Sequence, residues 1–233
     1  MIFNAILLIG IAVFLFRYVA SASEYYQSSY YIVTHNSLFG MGFDAGKSGE
    51  YMIYKALKGY ENVGAKFLFN LYVPKGDGTT SEIDVLMIHP RGIFVFESKN
   101  YSGWIFGNEK QKYWTQTLPQ RRGYGARKEK FFNPIKQNYG HIKTLEKYLH
   151  ERIPYYSIVV FSERCEFKSL TVSSSNVIVT KREYLENVMR KMIFQLPDAI
   201  SEQKVQMIYN SLYPLTQVEE NVKNQHIMDI RNR

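Results

Sequence analysis

The segment SEIDVLMIHPRGIFVFESK, residues 81–99, decides how this chain folds. It contains two apolar runs separated by the turn sequence His-Pro-Arg-Gly, which predicts two adjacent strands. Asp84 interrupts the first run, and Glu97 and Lys99 end the second. Because strand side chains alternate between the two faces of a sheet, Glu97 and Lys99 share one face with Ile93 and Val95. Charged groups there are costly to bury unless they are paired, bind a metal or open onto a cleft.

An aspartate on one strand and a Glu-x-Lys sequence on the next are what a metal-dependent phosphodiesterase requires. Two carboxylates supply the oxygen ligands that Mg²⁺ prefers, and a lysine beside them can position water or stabilise charge on the phosphate. The alternative is a pair of opposite charges on a solvated strand face, which is common. Taken alone, the pattern leaves both interpretations open.

Composition adds a basic region next to these strands. The chain has 233 residues with 45% hydrophobic content, enough for one domain whose core needs no disulfide. The single cysteine, Cys165, excludes an intramolecular disulfide and a zinc site built from several cysteines. The net charge is +8, and residues 99–152 contain twelve basic and four acidic residues, whereas the remainder is balanced. The whole surplus of positive charge therefore follows the Glu-x-Lys strand.

Residues 110–132 combine basic and aromatic side chains and predict a surface that binds nucleic acid, DNA or RNA. Basic groups neutralise phosphates, and aromatic rings stack on unpaired bases. The alternatives are a solvated loop or one attracted to anionic lipid headgroups. The basic members are Arg121, Arg122, Arg127, Lys128 and Lys130. The aromatic members are Tyr113, Trp114, Tyr124, Phe131 and Phe132.

The N-terminus predicts attachment to a membrane. Residues 2–16 are apolar apart from Asn4, so residues 1–20 are expected to form one transmembrane helix that acts as a signal anchor. Arg17 follows the apolar run and favours a single-pass protein of the cell membrane with a cytoplasmic C-terminal domain. A cleaved signal peptide is the alternative, because residues 20–22 (Ala-Ser-Ala) resemble a cleavage site, although no basic residue precedes the apolar run.

The remaining segments predict a mixed α/β domain around one sheet. Residues 21–43 are expected to be a linker, residues 151–213 to complete the domain with strands and helices, and residues 214–233 to be a polar tail. A helix beginning near Ala45 places Glu50 in the middle of its core face. The other predicted elements are a strand at 67–73, a hairpin starting at Gly103, a loop at 119–132, a helix beginning at Pro134, strands at 155–161 and 177–179, and helices at 182–196 and 199–213.

Four motifs in order resemble one family. They are GKSGE at residues 46–50, EID at 82–84, PRGIFVFESKNYSGWIFG at 90–107 and NPIKQN at 133–138. Together they are similar to the nuclease-related domain, abbreviated NERD, which is placed in the PD-(D/E)xK nuclease superfamily. The resemblance covers roughly residues 44–150. It implies a restriction-endonuclease-like mixed sheet flanked by helices, here preceded by the predicted transmembrane helix.

The resemblance also implies roles for individual residues. Glu50 corresponds to the helix glutamate, Asp84 to the metal-binding aspartate, and Gln137 to the polar residue of the following helix. Glu97 and Lys99 fill the (D/E)xK motif. The implied activity is hydrolysis of nucleic acid phosphodiesters with Mg²⁺ held by Asp84, Glu97 and Glu50.

Many members of the family have no demonstrated activity, so a catalytically inactive, membrane-tethered protein that binds nucleic acid or acts as a scaffold is the alternative. His89 and His141 have no second histidine at metal-ligand spacing, and each is predicted to be a surface or turn residue rather than a ligand.

Overall fold

The computed structural model describes residues 2–119 and 125–231. The helices are α1 (Ile2–Tyr26), α2 (Ser29–Thr34), α3 (Leu38–Phe43), α4 (Ala45–Leu57), α5 (Pro134–Leu149), α6 (Leu185–Gln195), α7 (Glu202–Leu212) and α8 (Glu220–Arg231). The strands are β1 (Lys66–Pro74), β2 (Thr80–His89), β3 (Gly92–Lys99), β4 (Gly103–Asn108), β5 (Tyr113–Pro119), β6 (Ala126–Phe132), β7 (Tyr155–Phe161), β8 (Cys165–Thr171) and β9 (Val177–Lys181). Short 3₁₀ helices occupy Lys58–Val63, Arg182–Tyr184 and Tyr213–Thr216.

The larger sheet has the strand order β1-β2-β3-β7-β9. Its first three strands are antiparallel, and β7 and β9 continue the sheet in parallel with β3. The sequence prediction of strands at 67–73, 81–99, 155–161 and 177–179 is confirmed. The strand β3, which ends in Glu97-x-Lys99, is therefore the central strand of five.

Helices cover both faces of this sheet. On one face α4 and α6 bury Ile53, Leu57 and Met189 against the sheet. On the other face α5 and α7 bury Leu145 and Ile208. Apolar residues that recur every three or four positions give each helix one buried stripe, and the two cores enclose the sheet. The charged residues at the end of β3 lie on the α5 side.

A second sheet has the order β6-β5-β4-β8 and was only partly predicted. Residues 126–132 were expected to belong to a loop, but they form β6 and pair along the whole of β5. Trp114 and Phe131 are packed with Phe161 of the larger sheet. The sequence of β6 does not indicate a strand, because its side chains are mostly polar and little except Phe131 is buried. Backbone pairing with β5 holds β6 in the sheet. With its two mixed sheets flanked by helices, the structure fits a nuclease-like fold.

The predicted linker at 21–43 and tail at 214–233 are both structured. Residues 21–43 include α2 and α3, and Tyr25, Tyr30 and Met41 are buried in the core beneath α4. In the predicted tail, α8 places a buried His226 against β2, where its ring nitrogen Nδ1 lies 2.9 Å from Thr80 Oγ1. In residues 21–43, tyrosine made the segment look polar, but its ring buries as well as a hydrophobic side chain when its hydroxyl finds a partner.

The transmembrane helix predicted over residues 1–20 is not supported. Ile2 to Tyr26 form the single helix α1. Within the described residues, no helix is both long enough and apolar enough to cross a membrane.

Candidate active site

Three polar residues lie in one row across the first three strands. Phe69 pairs with Val85 and Leu71 with Ile83, which places Asn70 opposite Asp84. Val85 also pairs with Phe96, which places Asp84 opposite Glu97. Asn70, Asp84 and Glu97 therefore share one level of the sheet.

The backbone at Asn70 interrupts the regular strand. Its φ angle is 51°, in the left-handed region that non-glycine residues avoid. Phe69 belongs to the core beneath α4, whereas Leu71, two residues further, belongs to the core beneath α5. Side chains two residues apart normally share a face, so the strand changes face at Asn70. The Asn70 amide donates a hydrogen bond of 3.0 Å to Glu50 Oε2.

Helix α4 delivers Glu50 to this row. The Asp44 side chain caps the helix by accepting hydrogen bonds from the backbone of Gly46 and Lys47. At Gly49 the helix passes so close to β3 that an added Cβ would lie 2.5 Å from Ser98 Oγ. Gly49 thereby permits the approach that brings the buried Glu50 beside the strands. This contact explains the glycine that precedes glutamate in the GKSGE motif.

Glu50 and Asp84 retain protons more strongly than ordinary carboxyl groups. Burial, followed by the nearby charge of Asp84, raises the pKa of Glu50 to about 8. Burial, followed by the charge of Glu97, raises the pKa of Asp84 to about 7 although Lys99 opposes the change. Asp84 Oδ2 accepts a 2.8 Å hydrogen bond from the backbone N–H of Ser98. The site therefore concentrates more negative charge than its own cations neutralise.

Lys99 joins β3 to α5. Its Nζ lies 2.7 Å from Glu97 Oε1 and donates a 3.1 Å hydrogen bond to Gln137 Oε1. Burial by itself would lower the pKa of Lys99, but the charges of Glu97 and Asp84 raise it above its usual value. Burial would likewise raise the pKa of Glu97, but Lys99 and His141 hold it below its usual value. Lys99 is therefore a protonated cation and not a free base.

His141 was predicted to be a surface or turn residue, and the structure corrects this. It lies one turn after Gln137 on α5, with Nε2 3.3 Å from Glu97 Oε2 and Nδ1 2.7 Å from Ser81 Oγ. The contact with Glu97 lacks hydrogen-bond geometry. The spacing of four residues from Gln137 could have indicated this position, because such residues are neighbours on a helix. His89 is buried rather than exposed, but it borders the turn between β2 and β3, where its Nδ1 accepts a hydrogen bond from the backbone of Arg91, so the prediction of a turn residue is confirmed.

The predicted nucleic-acid-binding surface divides into three parts. Arg127, Lys128 and Lys130 lie exposed on β6, where Arg127 pairs with Glu129. Trp114 and Phe131 are core residues, whereas Tyr113 and Phe132 remain exposed. Arg121, Arg122 and Tyr124 lie outside the described residues.

The carboxylates of the row do not form a complete metal cage. Over residues 2–119 and 125–231, no three His, Cys, Asp or Glu side chains are placed to hold a metal ion together. Instead Asp84 is engaged by the backbone of Ser98, and Glu97 by Lys99. The donor set nevertheless has the chemistry of a magnesium site, because it consists of oxygen ligands whose mutual repulsion a cation would relieve.

Comparison with known proteins supports the motif assignment. The family model of the nuclease-related domain matches residues 45–162. The chain belongs to the NERD family. An uncharacterized protein of Bacillus anthracis, pXO1-01, is 31% identical over 189 residues, which cover 81% of this chain and 84% of that protein. No solved structure matches the chain. The NERD match begins with α4 and ends just after β7, so it contains every residue of the row and both flanking helices.

Proposed function

We propose that this NERD protein hydrolyses phosphodiester bonds of nucleic acid with the help of Mg²⁺. The observation that supports this most directly is the position of Lys99, which contacts Glu97 and Gln137 beside the row that contains Asp84. A protonated lysine next to two carboxylates combines a cation for the phosphate with ligands for a metal. A purely structural role explains the Lys99–Glu97 ion pair less well, because buried ion pairs contribute little to stability.

Each residue has a distinct role in the proposal. Asp84 and Glu97 would hold Mg²⁺, with Glu50 added directly or through water. The bound ion would lower the pKa of a water ligand and neutralise charge on the scissile phosphate. Lys99 would stabilise the charge that develops on the phosphate, and Gln137 would position Lys99. The substrate backbone would contact Arg127, Lys128, Lys130 and the two arginines at 121 and 122.

One observation favours a second function. Lys99 and Glu97 already form a closed pair, and the described residues lack a three-ligand metal cluster. A structural ion pair of this kind would suit a NERD protein that binds nucleic acid without cleaving it. The two functions differ in their response to magnesium.

Cleavage of labelled single-stranded and duplex oligonucleotides, with Mg²⁺ or with EDTA, tests the proposal. We expect metal-dependent cleavage by the wild type and a loss of at least about 100-fold in Asp84→Asn and Glu97→Gln, because charge stabilisation of this kind supplies that much rate. Lys99→Ala should also lose cleavage but retain the magnesium-induced rise in melting temperature, since Lys99 is not a ligand. Asp84→Asn should lose that rise.

Glu151→Gln is the matched control, because Glu151 forms a partly exposed ion pair with Lys204 on other elements. It should cleave at the wild-type rate. Wild-type protein that binds oligonucleotides but cleaves none with Mg²⁺, and whose melting temperature does not respond to the ion, would replace the nuclease proposal with the binding function.

A further inference from the structure

The second sheet has an outer face that is rich in exposed aromatic residues. Trp114 and Phe131 point to the core, so their neighbours Tyr113 and Phe132, which are paired in register, point outward. Trp104 lies on the same side, with 47% of its surface exposed, whereas Trp114 has 1%. Large aromatic groups in contact with water are unfavourable, and a group of them on one face indicates a binding surface.

Lysines surround these rings. The register pairs Thr117 with both Trp104 and Lys128, and Thr115 with Lys130, which places both lysines on the outer face. Lys168 Nζ lies 5.1 Å from the centre of the Trp104 ring. Lys112 Nζ lies 5.3 Å from the centre of the Tyr113 ring. Each of these two exposed rings therefore has an ammonium group beside it.

The charge of the face is positive. The side chains of Lys128 and Lys130 form no hydrogen bond or ion pair with any other described residue, and only their backbones pair with β5. Lys168 forms an ion pair with Glu166, the neighbouring acid on this face, at 2.6 Å. A partner that complements such a face must present anionic groups together with flat rings. Single-stranded nucleic acid does so, because its bases are free to stack while its phosphates meet the lysines. A duplex keeps its bases stacked inside and offers only phosphates.

We propose that the outer face of the second sheet binds single-stranded nucleic acid. Bases stack on its exposed rings, and phosphates contact its lysines. This deepens the proposed function and rests on it for the choice of nucleic acid as ligand. The residues that form the surface are Trp104, Tyr113, Lys128, Lys130, Phe132 and Lys168.

Binding is tested with full-length Asp84→Asn protein in EDTA, so that no cleavage is required or reported. Oligothymidylate of about 15 nucleotides and a duplex of the same length serve as probes, and both fluorescence anisotropy and tryptophan emission are recorded. We expect tighter binding of the single strand and quenching of Trp104, because the buried Trp114 is inaccessible to a base.

The variants separate stacking from charge. Adding Trp104→Ala should raise the Kd for oligothymidylate by about tenfold and remove the quenching, since stacking on one aromatic ring contributes that much. Adding Lys128→Ala together with Lys130→Ala should reduce the slope of log K against log salt by about 1.4, as expected for two lost contacts on a single strand. Lys147→Ala with Lys191→Ala removes equal charge from exposed positions of α5 and α6 and should change neither quantity.

Several outcomes would overturn the proposal. One is equal affinity for the duplex and the single strand, without quenching of tryptophan emission. Another is wild-type affinity for oligothymidylate in both sets of variants. A third is that the variants lose binding to anionic phospholipid vesicles but keep their binding to oligonucleotide. Absence of cleavage in the wild type, with Trp104-dependent binding intact, would contradict the nuclease function and leave this surface standing. Cleavage by the wild type without Trp104-dependent binding would support the nuclease function and contradict the proposed binding surface.

Discussion

The pattern Glu-x-Lys occurs on two strands of the chain, and the two ion pairs that it forms differ in their exposure to solvent. In β3 the distance between Lys99 Nζ and Glu97 Oε1 is 2.7 Å, and in β8 the distance between Lys168 Nζ and Glu166 Oε1 is 2.6 Å. The side chains of the first pair are 16% and 2% exposed, those of the second 37% and 59%. The two ion pairs therefore have nearly equal N–O distances but differ strongly in how far their side chains are desolvated.

Position in the sheet explains the contrast. β3 is the central strand of the larger sheet and is covered by α5, whereas β8 is an edge strand of the second sheet. An exposed pair is solvated and contributes little to stability. A buried pair must be compensated on both sides, so the loss of one partner leaves the other as an isolated charge. The buried pair also has Asp84 and His141 as neighbours.

The largest effect is expected from removing each lysine in turn. Lys99→Met should lower the free energy of unfolding by roughly 3–5 kcal/mol, because it leaves Glu97 buried without its cation. Lys168→Met should change it by less than about 1 kcal/mol. Urea denaturation in EDTA measures both values. Equal losses in the two variants would mean that burial does not distinguish the pairs.

The next effect concerns Asp84, whose pKa of about 7 lies above its usual value. The folded protein keeps this proton while the unfolded chain loses it, so the group makes the fold less stable as the pH rises from about 4 to about 7. Without metal, Asp84→Asn should be more stable than the wild type by on the order of 2–4 kcal/mol at pH 8, at about 1.4 kcal/mol per pH unit, and similar to it near pH 4.

Thermal melts across this pH range in EDTA measure the Asp84 effect, and Glu166→Gln, a carboxylate removed from the exposed pair, provides the comparison. A melting temperature that is clearly lower for Asp84→Asn at pH 8 would show that Asp84 belongs to a stabilising ion-pair network and not to an empty metal site.

The smallest effect is expected at His141. His141→Ala removes the contact with Ser81 and the neighbour of Glu97, and it should cost about 1–2 kcal/mol in the free energy of unfolding. If His141 orients Glu97, the same variant should also need more Mg²⁺ for half of the metal-induced rise in melting temperature. Lys136→Ala, an exposed change on the same helix, is the control. A stability loss with an unchanged magnesium midpoint would limit His141 to a structural role.

Much of the larger sheet and its site could be read from local sequence. The alternating apolar residues of 81–99 and the turn between them specify two adjacent strands, and the capped helix before them places Glu50 on a core face. Asp84, Glu97 and Lys99 are recognisable because charges stand where a buried strand has apolar neighbours. Gln137 was identified by its motif, and the structure brings it to Lys99.

Other features were decided only by tertiary contacts. Asn70 adopts its left-handed conformation opposite Asp84, and β6 is a strand because β5 pairs with it. Tyr25 and Tyr30 are buried because α4 and β1 cover them. The sequence by itself determined which residues carry charge and which strands contain them. Only the tertiary structure decided which Glu-x-Lys pair is buried away from solvent. Desolvation depends on neighbours that are distant in the chain, and no local sequence pattern specifies them.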